Sequence, residues 1–186
     1  MATRPLYSRP TRTQLKSLDR GAAVAMAVLT YPERDYAGDL VRPDGGDWTR
    51  YPTNPQVNWH HGVTVGRGSV ELKAVNIDGA HHVVPIGTTK FFQSEADTRG
   101  IALVERDANY EIVRRLSAAE AVGAAESAWR LVDDEAATGV SIEFVGLSQR
   151  DTGVPSLIEA RNGQDYDRWR GLGWAHTTTP VQPHAR

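Results

Sequence analysis

Asn54-Pro55-Gln56-Val57-Asn58-Trp59-His60-His61-Gly62-Val63-Thr64-Val65-Gly66-Arg67 reads as an extended segment that ends in a histidine pair and then turns at glycine. Far downstream, Gly139-Val140-Ser141-Ile142-Glu143-Phe144 is a short β-branched run that starts at a glycine and carries one serine. A neutral imidazole titrates near physiological pH, and a serine hydroxyl needs such a neighbour before it becomes a useful nucleophile. Taken together the two stretches point to a base and a nucleophile, each carried by a strand.

The flanking sequence extends the β reading. Gly21 to Thr30 is a continuous small-apolar run stopped by Tyr31-Pro32, as a buried core strand would be. Asp35 to Trp48 is dense in Asp, Gly and Pro, which predicts turns and loop around a short strand at Leu40-Val41. Its acids lack the alternating oxygen ligands and closing Glu of an EF-hand loop. Val57 to Trp59 predicts a strand, Gly66-Arg67-Gly68 a turn, and Ser69 to Ile77 a half-exposed strand. Asp78-Gly79 is a hairpin signal, with His81 to Ile86 as the returning strand and Pro85 marking an edge or bulge. Phe91-Phe92 and Ile101 to Val104 add further strand-like pieces.

Ser117-Ala118-Ala119-Glu120 is a capping-box pattern, and the Ala-rich run after it, with Val122, Trp129, Leu131 and Val132, predicts a helix ending near Gly139. Val140 to Leu147 returns to strand, Gln149 to Arg170 reads as a polar surface excursion, and Leu172 to Thr179 predicts a last strand. The fold class expected is α+β and β-rich: a compact bent sheet or barrel flanked by one or two helices.

Composition narrows the function classes. The chain has 186 residues, 40% of them hydrophobic, which is enough for one packed core. It has no cysteine, which excludes a thiol nucleophile or thiolate metal site and fits a reducing compartment. A formal net charge of −2 offers no broad basic surface for nucleic acid, and no apolar run approaches a membrane span. Residues 1–20, with Arg4, Arg9, Arg12, Lys16 and Arg20 among Ser, Thr and Pro, are expected to be a flexible basic arm, and residues 21–186 a single domain. His81-His82 with His60-His61 lacks both cysteine and a helical His-x-x-x-His pattern, so neither metal nor cofactor is expected.

Gly38-Asp39-Leu40-Val41, Asn54-Pro55, Trp59-His60-His61-Gly62, Val65-Gly66-Arg67 and Gly139-Val140-Ser141-Ile142-Glu143-Phe144 occur in the order and approximate spacing of phage prohead proteases of the HK97 type, and the chain resembles that family from about Thr30 onward. The closing Pro180-Val181-Gln182-Pro183-His184-Ala185 is similar to the family's terminal Pro-Ala-Asn-Pro pattern. The resemblance implies a fold like herpesvirus assemblin and a serine endopeptidase that cuts capsid or scaffold protein in the host cytoplasm, inside the procapsid. Its substrates would be the major capsid protein, that protein's scaffolding segment and its own termini; the homodimer is left open. On the family motifs Ser141 is the nucleophile, His61 the general base and His60 the family asparagine, while Gly62 stands where the family has Asp.

The third member is open. The family carboxylate would align with Gly173, and the assemblin order His, Ser, His is reproduced by His61, Ser141 and His176, which makes His176 the preferred choice. Glu143 competes, because it lies two residues from Ser141 and so on the same strand face. Glu71 and Glu159 also remain. The oxyanion hole is expected to be backbone amides or an Arg-held water, with Arg168 and Arg170 as candidates. Gly62 and Gly173 favour an alternative, an inactive protease-fold scaffold or capsid-binding module. A β-barrel ligand-binding domain ranks third.

Overall fold

The computed structural model describes residues 6–7, 16–32, 40–77, 79–147, 158–159, 165–166 and 168–178. The strands in chain order are β1 (Leu6–Tyr7), β2 (Lys16–Asp19), β3 (Val24–Val28), β4 (Leu40–Val41), β5 (Gly46–Asp47), β6 (Gln56–Trp59), β7 (Val63–Ile77), β8 (Ala80–Phe91), β9 (Val104–Arg106) and β10 (Ile112–Arg115). The helix α1 (Ala118–Asp133) follows, and then β11 (Gly139–Leu147), β12 (Ile158–Glu159), β13 (Asp165–Tyr166) and β14 (Arg168–Thr177). Among the described residues eleven strands form one mixed sheet whose main path is β1-β11-β14-β6-β7-β8-β3-β2, and β13, β12 and β4 make a small second sheet. The fold is α+β and β-rich, as the alternating apolar pattern requires. No helix among the described residues is long and apolar enough to cross a membrane.

The position of β14 decides what meets what. It runs antiparallel to β11 on one side and parallel to β6 on the other, so the histidine stretch and the serine strand are not neighbours but flank a common strand. The register pairs Ser141 with Ala175 and Glu143 with Gly173. Since side chains alternate across a sheet, Val140, Ile142 and Trp174 enter the core on one face while Ser141, Glu143 and Ala175 project from the other.

That core is rich in indoles. Trp48, Tyr51, Trp169 and Trp174 pack mostly edge to face, with ring centroids 5.6 Å apart for Trp48–Trp169 and 5.3 Å for Tyr51–Trp174. Rings of this size bury roughly 150–250 Å² each, at most about 4–6 kcal/mol of transfer free energy apiece. Making room for them explains Gly68, and the close approach of β8 explains Gly66; both lie inside an unbroken β7 and not in the expected turn. A Cβ on Gly68 would overlap the Tyr51 hydroxyl and the Trp174 ring, and one on Gly66 would sit 2.9 Å from the Lys90 carbonyl oxygen. These glycines serve close approach, which a sequence reading takes for chain reversal.

The remaining elements follow their local chemistry. Asp78 lies outside the described residues, but Ile77 pairs with Ala80, so the expected two-residue hairpin forms with Gly79 at φ 84°. Pro85 sits where the β3 ladder ends at Ile86, and its carbonyl still accepts from Leu29. The helix starts on a complete capping box: Ser117 Oγ accepts from the Glu120 amide and the Glu120 carboxylate accepts from the Ser117 amide. Ala121, Ala125, Ala128 and Val132 form its buried stripe, whereas Leu131 points outward.

The arm expected over residues 1–20 needs correction where it is described. β2 pairs with β3, placing residue 21 inside a hairpin, and β1 pairs with β11. Backbone pairing asks for no apolar period, so the composition of this segment concealed it. The rest of that arm, most of the polar excursion, Thr179 and the terminal Pro180 to Ala185 pattern lie outside the described residues.

Candidate active site

Trp59, His60, His61 and Gly62 form a tight turn between β6 and β7, closed by the Gly62 amide donating to the Trp59 carbonyl at 2.8 Å. Both central residues have positive φ, 49° at His60 and 60° at His61, as a type I′ hairpin turn demands and as Asn-Gly would supply more easily. Two non-glycine residues in this region cost on the order of 1–3 kcal/mol each, and such strain persists only where the surroundings over-determine it. Here they do. The His60 amide donates to the His176 carbonyl at 3.0 Å, the Arg106 amide donates to the Gly62 carbonyl at 2.7 Å, and the Thr178 hydroxyl lies 3.0 Å from His60 Nε2. Burial, and then the neighbouring His61, hold the His60 pKa below its usual value.

The strained turn sends the His61 imidazole across β14 to the face of β11. Its Nε2 lies 2.7 Å from Ser141 Oγ and its Nδ1 lies 2.9 Å from Glu143 Oε1. Asn58 Nδ2 donates to both carboxylate oxygens of Glu143, at 2.8 and 3.1 Å. With the carboxylate accepting at Nδ1, the imidazole proton belongs there, and Nε2 is left as the acceptor for the serine hydroxyl. Asn58 cannot be flipped, because its carbonyl oxygen would then face the carboxylate. Ser141 and Asn58 are fully buried, Glu143 is 2% exposed and His61 7%. Glu143's charge, after burial itself, also pushes the Tyr51 phenol pKa upward.

No protein-family model, curated protein or solved structure matches the chain.

Of the residues expected from sequence, the fold brings Ser141, His61 and Glu143 together. His176 is not the residue that contacts His61. It faces Val140, one position on from the Ser141–Ala175 pair, so its ring goes to the opposite side of the sheet, where Nε2 lies 2.8 Å from Thr89 Oγ1 and the ring packs on Phe91 at 5.2 Å. The Trp174 indole donates to the same Thr89 oxygen, and burial lowers the His176 pKa to about 3. His176 is a neutral core histidine.

The carboxylate sought at Gly173 stands across the ladder at Glu143, its direct pairing partner. Gly173 also keeps that corner open, since a Cβ there would fall 2.8 Å from the Gln56 carbonyl oxygen and 3.7 Å from Glu143 Oε2. Glu71 is exposed beside Lys73, and the Glu159 side chain lies outside the described residues. Arg170 and Arg168 pair with Val145 and Leu147, four and six positions along β11 from Ser141, and Arg170 faces Asp47 at 3.9 Å. His81 and His82 lie near the β7–β8 hairpin end, opposite Asn76 and Val75.

Two residues escaped the sequence reading. Asn58 anchors the carboxylate, and a polar residue between Val57 and Trp59 in a strand was its only signal. Tyr110 places its ring edge-on to His61, at 5.6 Å and 87°, from a left-handed conformation with φ 64°. Asp107 holds that loop by accepting from the amides of Asn109 and Glu111 through Oδ1 and from Tyr110 through its carbonyl. Nothing local in the sequence associates Tyr110 with a histidine far earlier in the chain.

Proposed function

We propose that this chain is a serine endopeptidase in which Ser141 is the nucleophile, His61 the general base and Glu143 the group that orients and charges against His61. The observation that carries the reading is the unbroken hydrogen-bond chain Asn58–Glu143–His61–Ser141, each link joining residues eighty or more positions apart. Connectivity of this kind, a nucleophile on a base and the base on an orienting acid, is what acyl transfer by serine requires. The resemblance to HK97-type prohead proteases supports the reaction class and names the substrates, capsid and scaffolding protein within a procapsid, and an assemblin-like architecture goes with it.

In this mechanism Ser141 Oγ attacks the scissile carbonyl carbon as its proton passes to His61 Nε2. The imidazolium that forms is stabilised by Glu143, itself held by Asn58. His61 then returns the proton to the departing amine nitrogen as the carbon–nitrogen bond breaks, leaving an acyl ester on Ser141. Water, deprotonated by His61, attacks the ester and releases the acid and free serine. Glu143 supplies the carboxylate that neither Gly62 nor Gly173 can, reaching His61 from β11 across the intervening β14.

The test is intact-mass analysis of the chain co-expressed with its virus's capsid protein, wild type beside Ser141→Ala and Glu143→Gln. Discrete products that vanish with Ser141→Ala and fade with Glu143→Gln are expected. Identical masses in all three samples would move the inactive scaffold reading to the front.

A further inference from the structure

We propose that the edge of β11 opposite β14 is the peptide-binding edge of the site, and that β1 of the same chain occupies it in cis as a self-supplied, displaceable strand. The inference rests on the peptidase reading and deepens it. Leu6 pairs with Phe144 and Tyr7 with Glu143, antiparallel, so the described ladder ends two positions short of Ser141 on the nucleophile's own strand. An extended peptide added to a sheet edge gains affinity from main-chain hydrogen bonds, with little demand on its sequence. The pairing of β1 has that form: a segment remote in sequence from β11, lying beside the reactive serine as a polypeptide substrate would.

Magnitude argues for a strand that can be displaced. The two described pairs contribute a hydrogen bond or two, at about 0.5–1.5 kcal/mol net each. Such a contact is too weak to hold between separate molecules, but the covalent tether supplies an effective concentration in the millimolar range. A substrate strand that pairs further along β11 would win. Ser141, meanwhile, has no exposed surface and His61 almost none, so a scissile carbonyl reaches them only after a neighbouring element yields. Of the two strands flanking β11, β14 is paired with it over nine positions and β1, among the described residues, over two, so β1 is the one that gives way.

The experiment measures covalent labelling of Ser141 by a fluorophosphonate, followed by intact mass, in the full chain, in a chain lacking residues 2–10 and in the full chain carrying Leu6→Pro with Tyr7→Pro. Proline lacks the amide proton, and of two adjacent positions in an antiparallel ladder one must be the hydrogen-bonded pair, so the double substitution unpairs β1 without shortening the chain. Labelling at least tenfold faster in both altered chains is expected, with a synthetic peptide of residues 1–12 at millimolar concentration slowing the truncated chain again. Labelling of Ser141 at the same rate in all three would overturn the displaceable strand and leave the peptidase reading standing. Hydrogen exchange of the β11 amides gives a readout independent of serine chemistry: faster exchange near Glu143 on truncation, reversed by the peptide, is expected. If all three chains stay folded and none is labelled, the peptidase reading falls and the inference with it.

Discussion

At the residue scale, the behaviour of the site turns on which nitrogen of His61 carries its proton. Glu143→Gln would present an amide donor to Nδ1, drive the proton to Nε2 and remove the acceptor Ser141 needs. Peptide cleavage should drop by roughly 10²–10⁴-fold with little loss of stability, measured as kcat beside a urea midpoint. Asn58→Ala acts differently, stripping two hydrogen bonds from a buried carboxylate. It should lower folding stability by about 1.5–3 kcal/mol in urea titrations, and an unchanged midpoint would refute the anchoring role. Ser141 and His61 were legible because each chemistry needs a particular residue type in a particular local setting. The partner of His61 Nδ1 was legible only as one of several candidates: parity within β11 put Glu143 on the face of Ser141, but the parity of His176 was hidden. His176 has the right order along the chain, but the register that sets Ser141 against Ala175 turns it to the other face. Register is a property of two strands together and is written in neither.

At the scale of elements, the β6–β7 turn and the indole-bearing strands show how local cost is spread. His60→Asn keeps a residue that tolerates positive φ and should leave the urea midpoint nearly unchanged, whereas His60→Val should cost roughly 1–3 kcal/mol by forcing a β-branched side chain into that region. Gly68→Ala should destabilise by about 1–3 kcal/mol or more, because Tyr51 and Trp174 occupy the added methyl's place. The helix and the β7–β8 hairpin were readable since capping boxes and Asp-Gly turns are local signals. Gly66 and Gly68 misled for the opposite reason: what they make room for is distant, the Lys90 backbone on β8 for Gly66 and the rings of Tyr51 and Trp174 for Gly68, the last more than a hundred residues away.

Across the whole molecule, the buried neutral His176 links stability to acidity. Its folded pKa, about 3, lies below the ordinary 6.5 expected of the unfolded chain, so between those values the unfolded state binds the extra proton. Its stabilising contribution is fully present above pH 6.5 and is lost as pH falls toward 3, at up to about 1.4 kcal/mol per pH unit. His60, also lowered, adds to the loss with the same sign. Urea unfolding at pH 7 and pH 5 should show wild type losing about 2 kcal/mol more than His176→Phe over that interval.

The wedge position of β14 also sets a schedule. During synthesis the turn bearing His61 emerges early and the strand bearing Ser141 much later, yet neither can be brought to the other until the strand that separates them, β14, has left the ribosome and inserted between β6 and β11. Pairings of such long sequence separation form late and slowly, because the loop must close before its contacts reward it. A nascent chain of this protein therefore carries His61 early and gains Ser141 and Glu143 only late, and the hydrogen-bond chain Asn58–Glu143–His61–Ser141 closes as one of the last acts of folding.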